Sequence, residues 1–249
     1  MHTLAVYSIK GGVGKTSSAV NLAFIAAHSG LRTLVWDLDP QGASSYYFRI
    51  KPKIKGGSKN LIAGKCELDG LIKGTDFENL DLLPSDFSFR NMDLVLEAKK
   101  KPTQQLKKLL KPLAEDYDIV FLDCPPSISL LSEAVFEAAE ALLSPIIPTT
   151  LSIRTLEQLK KFIAENDLDK LTLIPFFCMV DRRKKMHKDI MQALLEQYPE
   201  ILTTAIPYAS DIERMGLERM PLGSYLKKGP SVLAYNELWQ EISARIRLS

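Results

Sequence analysis

The chain has 249 residues, 46% of them hydrophobic, which is enough to bury one sizeable core, so we expect a single domain over residues 1–249. A formal net charge of +2 does not by itself indicate a nucleic-acid-binding protein, and three cysteines without C-x-x-C spacing indicate neither a zinc ribbon nor a disulfide framework. No apolar stretch approaches the roughly 18 residues of a membrane span and no signal peptide precedes the first predicted strand, so we expect a cytoplasmic protein.

Apolar runs alternate with longer segments of helical period along the chain. The runs predict strands at 4–8, 33–36, 80–83, 119–122, 141–147, 171–179 and 203–206. The segments between them predict helices at 17–28, 103–115, 132–140, 155–165, 187–198 and 232–247. This alternation is typical of repeated βαβ units, and it predicts an α/β fold with a doubly wound, mainly parallel sheet and helices on both faces. Residues 48–74, with five lysines among glycines, predict an irregular surface excursion.

The first predicted strand leads into a glycine-rich loop and then into a helix. The loop and its flanks read Lys10, Gly11, Gly12, Val13, Gly14, Lys15, Thr16 and Ser17. Such a loop aims backbone N–H groups at phosphates, and the helix amino terminus adds its positive dipole end. Lys15 then reaches the β- and γ-phosphates of a nucleoside triphosphate, while the Thr16 hydroxyl ligates Mg²⁺. The general pattern G-x-x-x-x-G-K-[ST] requires glycine at position 9, where this chain has Ile9.

A second lysine, Lys10, stands immediately before the glycine pair. This arrangement resembles the deviant P-loop, or deviant Walker A motif, of the ParA/MinD family of partition ATPases. The resemblance implies a P-loop NTPase fold and ATP with Mg²⁺ as cofactors. It also implies that Lys10 crosses a two-fold interface to the partner subunit's nucleotide, so that ATP holds a homodimer together and Lys10, Lys15 and Asp39 are catalytic.

Three aspartates follow two predicted strands. Asp123 ends the apolar run at 119–122, where ligands of open α/β sheets gather, and we expect it to hold a Mg²⁺-bound water. Asp37 and Asp39 are alternate residues of an extended segment and therefore share a face. Their segment resembles the family's switch I, which implies that Asp39 orients or activates the attacking water and that Asp37 supports Mg²⁺ through water.

The resemblance extends along nearly the whole chain. Residues 177–183 resemble a strand and loop with a Met-x-Asp-x-Arg pattern, and residues 234–238 resemble the family's last helix. Ile206, Pro207 and Tyr208 stand where an Ile-Pro-Arg pattern passes the adenine ring, with Tyr208 in place of the usual arginine. We therefore expect Pro207 and Tyr208 at the nucleotide base.

Basic residues form local clusters despite the small net charge. ParA-type members bind DNA without sequence preference through lysines and arginines on the phosphate backbone, which makes binding sensitive to salt. The candidate DNA-binding residues here are Arg182, Arg183, Lys184, Lys185, Arg214 and Arg219. These residues form two clusters, at 182–185 and at 214–219. The lysines between 51 and 65 form a third cluster, and those between 99 and 111 are typical of a solvated helix face.

The resulting functional hypothesis is a ParA-type ATPase. It forms an ATP-dependent sandwich dimer on nonspecific DNA, associates with the nucleoid, and is released when a ParB-like or cargo-adaptor protein stimulates hydrolysis. A MinD-like membrane ATPase is one alternative, but the apolar stripe of the tail is interpreted as core packing. An ATP-dependent metabolic synthetase of the same superfamily is another. An iron-sulfur reductase is disfavoured, because Cys66 and Cys124 do not form the cysteine pair that a cluster requires.

Overall fold

An eight-stranded sheet forms the centre of the computed structural model, which describes residues 1–65 and 67–248. The strands are β1 (His2–Val6), β2 (Thr33–Asp37), β3 (Lys73–Gly74), β4 (Leu80–Leu83), β5 (Ile119–Asp123), β6 (Ala141–Ile146), β7 (Thr172–Val180) and β8 (Leu202–Pro207). Their order across the sheet is β3-β4-β2-β5-β1-β6-β7-β8, and only the pair of β3 with β4 is antiparallel. The predicted mainly parallel α/β fold is confirmed.

Helices cover both faces of the sheet. They are α1 (Lys15–His28), α2 (Ala43–Tyr47), α3 (Gly57–Ile62), α4 (Met92–Glu97), α5 (Gln105–Leu110), α6 (Leu130–Ala138), α7 (Thr150–Glu165), α8 (Lys185–Gln197), α9 (Ser210–Glu213), α10 (Met215–Glu218), α11 (Leu222–Tyr225) and α12 (Pro230–Arg245). The helix predicted at 103–115 is interrupted, since α5 is flanked by 3₁₀ turns at 102–104 and 111–115, each with a proline near its start. None of the described helices combines the length and the hydrophobicity that a bilayer span requires.

The alternation of side chains along β1 divides the core into two layers. Leu4 and Val6 pack into the layer that contains α1 and α12, whereas Ala5 and Tyr7 pack into the layer of α5 and α6. All four side chains are fully buried, as a central parallel strand covered on both faces requires. β1 is hydrogen-bonded to β5 on one side and to β6 on the other, so the loop after it opens at the middle of the sheet.

The apolar stripe of the tail packs on the core, as predicted. Leu238, Trp239 and Ile242 of α12 are buried, and α12 lies against α1 and β8. The last helix is therefore part of the globular core, and its stripe is not displayed on the surface.

The prediction of an irregular surface excursion at 48–74 is only partly correct. The segment contains α3 and β3, and it buries apolar side chains at Ile54, Leu61, Ile62, Leu68 and Leu71. The lysines of the segment are exposed. Cys66, which was expected in this excursion, lies outside the described residues.

β8 forms one edge of the sheet and carries an irregularity at Thr203 and Thr204. Phe176 and Phe177 of β7 pair with Leu202 and Ala205, so the two threonines are left out of the ladder. Their backbone N–H groups donate to the Glu241 carboxylate at 2.9 and 2.8 Å. A side chain of α12 thus accepts from donors that the pairing of β7 with β8 leaves out.

Candidate active site

The glycine-rich loop connects β1 to α1 at the carboxyl edge of the sheet. Gly12 and Gly14 have φ angles of 69° and 94°, in the left-handed region that favours glycine. Gly14 has a second reason to be glycine, because a Cβ there would lie 2.6 Å from the Cys178 Sγ. The close approach of α1 to the end of β7 therefore depends on the missing side chain.

Lys15 begins α1 and is nearly buried, with 7% of its surface exposed. Its Nζ donates to the Lys10 carbonyl oxygen at 3.3 Å. Burial lowers the pKa of Lys15, and the charges of Asp123, Cys124 and Asp39 oppose that shift. The fold has thus placed the ammonium group beside the aspartates that the sequence predicts as its neighbours.

Lys10 is half-buried and precedes the glycine pair on the loop. Its backbone N–H donates to the Ser8 hydroxyl at 3.3 Å, and its residue borders a small cleft with Ser152 and Thr155 at the start of α7. The contact of Lys10 with the nucleotide of a partner subunit stays a prediction.

Asp37 and Asp123 are register partners at the ends of β2 and β5, and both are fully buried. Each has one carboxylate oxygen without a hydrogen-bond partner. Burial raises the pKa of both groups. The charge of Asp123 raises the pKa of Asp37 further, while the Ser44 hydroxyl and then the Thr16 hydroxyl lower the pKa of Asp123. Two buried carboxylates with free oxygens beside a hydroxyl fit a hard divalent cation such as Mg²⁺.

Serines hold the other oxygen of each carboxylate, and the sequence prediction did not include them. The Ser45 backbone N–H and hydroxyl donate to Asp37 Oδ2 at 2.8 and 2.7 Å, and the Ser44 hydroxyl donates to Asp123 Oδ2 at 2.8 Å. Both serines lie in α2, directly after the Asp37 to Gly42 turn. The two adjacent serines after the aspartate segment are a sequence signal for such donors. The strand order is needed to show which aspartate each serine donates to.

Asp39 is held at the mouth of the site by a local turn. Its Oδ1 accepts from the Gln41 backbone N–H at 2.9 Å, and its backbone carbonyl accepts from the Gly42 N–H and the Ser85 hydroxyl. Leu38 is fully buried between the two aspartates, as the alternation predicts. Asp39 is half-exposed, and its charge raises the pKa of Lys15. The carboxylate therefore faces the same site while solvent still reaches it.

The loop after β5 lies against the glycine loop. Cys124 is buried there, and burial together with the Asp123 charge raises the pKa of its thiol. The Tyr7 hydroxyl donates to the Ser127 carbonyl at 2.9 Å, which anchors this loop to β1. A Cβ on Gly11 would touch Pro126 at 3.8 Å, so the two loops lie in contact distance.

A cavity of about 220 Å³ adjoins the glycine loop on the side of β7 and β8. Pro207 and Tyr208 line it together with Gly12, Gly14 and Ser17, so the fold brings the predicted base-binding residues beside the predicted phosphate-binding ones. Residues that the sequence prediction missed complete the wall: Tyr47, Cys178, Met179, Ile212, Glu213 and Tyr235. Met179 has a left-handed φ of 55°, where β7 breaks its register with β8.

The predicted DNA-binding residues fall into two groups with different environments. Arg182, Lys184 and Lys185 are exposed in the loop before α8 and at its start, whereas Arg183 donates to both oxygens of Asp181 at 2.9 and 3.0 Å. Arg214 pairs with Glu218 at 2.8 Å, and Arg219 donates to the Tyr46 carbonyl at 3.2 Å. The second group is therefore engaged within the molecule.

Comparison with known proteins gives relatives over the whole chain. A family model described as an AAA domain matches residues 1–172. The chromosome-partitioning ATPase Soj of Treponema pallidum is 28% identical over 248 residues, covering 98% of this chain and 97% of that protein. A virulence plasmid ParA family protein, pGP5-D of Chlamydia psittaci, is 30% identical over 205 residues, covering 79% of this chain and 77% of the relative.

Solved structures agree with the fold. Cobyrinic acid a,c-diamide synthase of Mycobacterium smegmatis, solved with an ATP analogue and magnesium, superimposes with a TM-score of 0.84 at 25% identity, covering 100% of this chain and 96% of that one. The deviant glycine loop and the paired aspartates indicate the same family as these relatives. The chain belongs to the ParA/MinD family of partition ATPases.

Proposed function

We propose that this protein is a ParA-type ATPase that binds ATP with Mg²⁺, forms an ATP-dependent dimer on nonspecific DNA and leaves DNA after hydrolysis. The observation that carries the proposal is the pair of buried carboxylates, Asp37 and Asp123, each with an unpartnered oxygen at the site of Lys15. Two buried carboxylates lower the stability of the folded protein, and a bound cation with a triphosphate would offset that loss.

Each residue of the site has a distinct task in this proposal. Thr16, Asp37 and Asp123 would hold Mg²⁺ directly or through water, and the bound ion neutralises charge on the transferring phosphoryl group. Lys15 binds the β- and γ-phosphates, and the glycine loop supplies backbone N–H groups. Asp39, half-exposed at the mouth, orients the attacking water. Pro207 and Tyr208 bound the cavity that receives the base.

Two surface features support the assembly that we propose. Lys10 lies on the loop itself, next to the exposed Gly11 and Gly12, where a second protomer's nucleotide would meet it. Arg182, Lys184 and Lys185 are exposed together and suit DNA phosphates. Activation by a ParB-like or cargo-adaptor partner is part of the same proposal.

The structural likeness to the cobyrinic acid a,c-diamide synthase favours a second candidate, an ATP-dependent synthetase. Such an enzyme would bind the same nucleotide but would turn over with a small acceptor in place of DNA. A MinD-like membrane role has less support, because the apolar residues Leu238, Trp239 and Ile242 of α12 are buried in the core.

Binding of long random-sequence DNA tests the proposal. Asp39→Ala is used to block turnover, and binding is compared with ATP, with ADP and without nucleotide, over a series of salt concentrations. We expect binding only with ATP, weakening as salt rises. The absence of DNA binding in every nucleotide state, together with normal ATP binding, would favour the synthetase. An Asp39→Ala protein that hydrolyses ATP at the normal rate would refute the role of Asp39.

A further inference from the structure

A groove of about 780 Å³ lies on the molecule away from the glycine loop, beside β3 at the edge of the sheet. Its floor includes Ile54, Leu71 and Pro84, which are buried apolar residues. The exposed side chains of Lys51, Lys53 and Lys73 line it as well. The groove therefore combines an apolar strip with a cationic border.

The charge of the groove is one-sided. Among the described residues that line it, no aspartate or glutamate is present. Asp86 lies behind the wall, where it accepts from the Ile54 backbone N–H at 3.0 Å, and Lys53 lowers its pKa. Among the described residues, the Lys73 ammonium makes one long contact of 3.5 Å, to the Gly70 carbonyl oxygen. The described lining of the groove therefore carries lysines and no acidic side chain.

The shape and the floor distinguish between two kinds of anionic partner. A DNA duplex is recognised along a run of phosphates on a hydrophilic surface and gains nothing from buried apolar side chains. An extended or helical peptide with acidic and apolar residues satisfies both the lysines and the strip. The groove fits a segment of an acidic protein better than it fits DNA.

The walls of the groove connect to the predicted metal site through two short routes. Ile50, at the groove, donates its backbone N–H to the Ser45 carbonyl at 2.9 Å, and Ser45 holds Asp37. Pro84 precedes Ser85, whose hydroxyl donates to the Asp39 carbonyl.

Between these routes the chain packs tightly on the start of α2. A Cβ added at Gly42 would lie 2.9 Å from the Pro52 Cβ. A ligand that shifts residues 50–53 therefore moves the start of α2, and with it the contacts that position Asp37 and Asp39.

We propose that this lysine-lined groove docks an acidic, partly apolar segment of a partner protein, and that its occupancy is transmitted to Asp37 and Asp39 through Ser45 and Ser85. The coupling rests on the proposed ATPase function, whereas the docking itself does not. The groove is thus a second surface, separate from the nucleotide face, from which a partner acts on the switch segment.

The test uses a fluorescein-labelled twelve-residue peptide in which glutamate alternates with leucine or valine, and a matched peptide with lysine for glutamate. Anisotropy is measured with the full chain, with the double variant Lys51→Glu/Lys53→Glu, and with the control Lys108→Glu/Lys111→Glu, which changes the net charge equally on exposed lysines elsewhere. We expect the acidic peptide to bind the parent chain and the control variant with the same affinity. Its affinity for the groove variant should be lower by about tenfold or more. The lysine peptide should not bind.

Amide resonances report the coupling without any need for ATP turnover. Binding of the acidic peptide should shift the Gly42 and Ser45 amide signals in the parent chain and not in the groove variant. An equal loss of peptide binding in both charge variants would overturn the proposal. Displacement of the peptide by a mixed-sequence DNA duplex that itself binds through Lys51 and Lys53 would overturn it as well. Peptide binding without movement of the Gly42 and Ser45 signals would overturn the coupling. ATP binding by the groove variant, measured separately, shows whether the nucleotide site is intact.

Discussion

Asp37 and Asp123 lie side by side as register partners on β2 and β5, both fully buried and each with one unpartnered oxygen. Serine donors hold the other oxygen of each carboxylate. Because burial raises both pKa values above those of the unfolded chain, the pair favours the folded state at low pH and loses that contribution as pH rises through the folded values. Ionisation of this pair therefore costs the nucleotide-free protein stability as pH rises.

Asp123→Asn should accordingly stabilise the nucleotide-free protein at pH 7.5 while removing the stabilisation that Mg²⁺ with ATP provides. A gain of about 1 kcal/mol corresponds to a rise of about 2–4 °C in Tm for a domain of this size. Thermal unfolding with and without Mg²⁺ and ATP measures both effects. The gain should shrink at pH 5, where the aspartate pair is closer to protonation, and a gain independent of pH would contradict the electrostatic explanation.

Ser45→Ala should destabilise the protein by about 1–3 kcal/mol, because it removes a buried donor from Asp37. It also removes the acceptor of the Ser85 backbone N–H, which lies 3.0 Å from the Ser45 hydroxyl. Denaturant unfolding measures the loss. Ser29→Ala is the control, since that exposed hydroxyl donates only to the Ala26 carbonyl, and an equal loss in both variants would argue against the special role of Ser45.

Gly14→Ala should be more damaging than Gly30→Ala. Both glycines have a left-handed φ, of 94° and 97°, so each substitution costs about 1–2 kcal/mol in backbone strain. Only at Gly14 does the new Cβ meet a neighbour, the Cys178 Sγ at 2.6 Å, which adds about 1–3 kcal/mol of overpacking. Unfolding free energies separate the two contributions.

A double substitution checks the cause of this difference. Cys178→Ala removes the sulfur and should recover part of the additional loss in the Gly14→Ala background. Additive losses would show that the contact with Cys178 is not responsible.

His187 should make the loop at 181–184 sensitive to pH. The Asp181 backbone N–H donates to the buried His187 Nδ1 at 3.1 Å, which requires the neutral ring. Burial and then the Lys184 charge lower the pKa of His187, and the Asp181 charge opposes them. The contact is therefore fully present above the unfolded pKa of about 6.5 and is lost as pH falls through the lower folded value.

Hydrogen exchange of the Asp181 amide measures this contact. Its protection factor should fall on acidification, and His187→Phe should lack the protection at every pH. An amide that stays fully protected well below the folded pKa in the parent chain would contradict the assignment.

Arg182 and Arg183 should contribute differently to DNA binding, although they are adjacent. Arg182 is exposed, with no hydrogen bond or ion pair in the part of the chain that the structure describes, while the Nε and Nη2 of Arg183 donate to the two carboxylate oxygens of Asp181. Arg182→Ala should lower the log–log salt slope of ATP-dependent DNA binding by about 0.9, the value of one phosphate contact. Arg183→Ala should leave the slope nearly unchanged, and equal slopes for the two variants would refute this distinction.

The sequence predicts the parts of the site that depend on local patterns. The glycine loop, Lys15, Asp37 and Asp39 lie in short motifs, and Asp123 ends a strongly apolar run, so their positions at the carboxyl edge of a parallel sheet follow from the pattern. The strand order brings β2 next to β5, and this arrangement joins Asp37 to Asp123. The roles of these residues in catalysis stay predictions.

Other features depend on contacts between distant segments and carry no local signal. Ser44 meets Asp123 across 79 positions of the chain, and Cys178 reaches Gly14 from β7. α4 was not predicted, and β3 has only two residues, too few for a visible alternation. The lysines at 51–65 lie among buried apolar residues, and this mixture gives no regular pattern from which a packed segment can be predicted.

Glu241 has a consequence for the behaviour of the chain in a crowded solution. An edge strand with free backbone donors is a template on which another chain adds a strand, and repeated addition leads to aggregates. The Glu241 carboxylate already holds the Thr203 and Thr204 N–H groups, and the irregularity at these residues breaks the straight edge of β8. At the far end of the sheet, β3 is only two residues long. The sheet therefore offers little for open-ended strand pairing, which leaves self-association to other surfaces of the molecule.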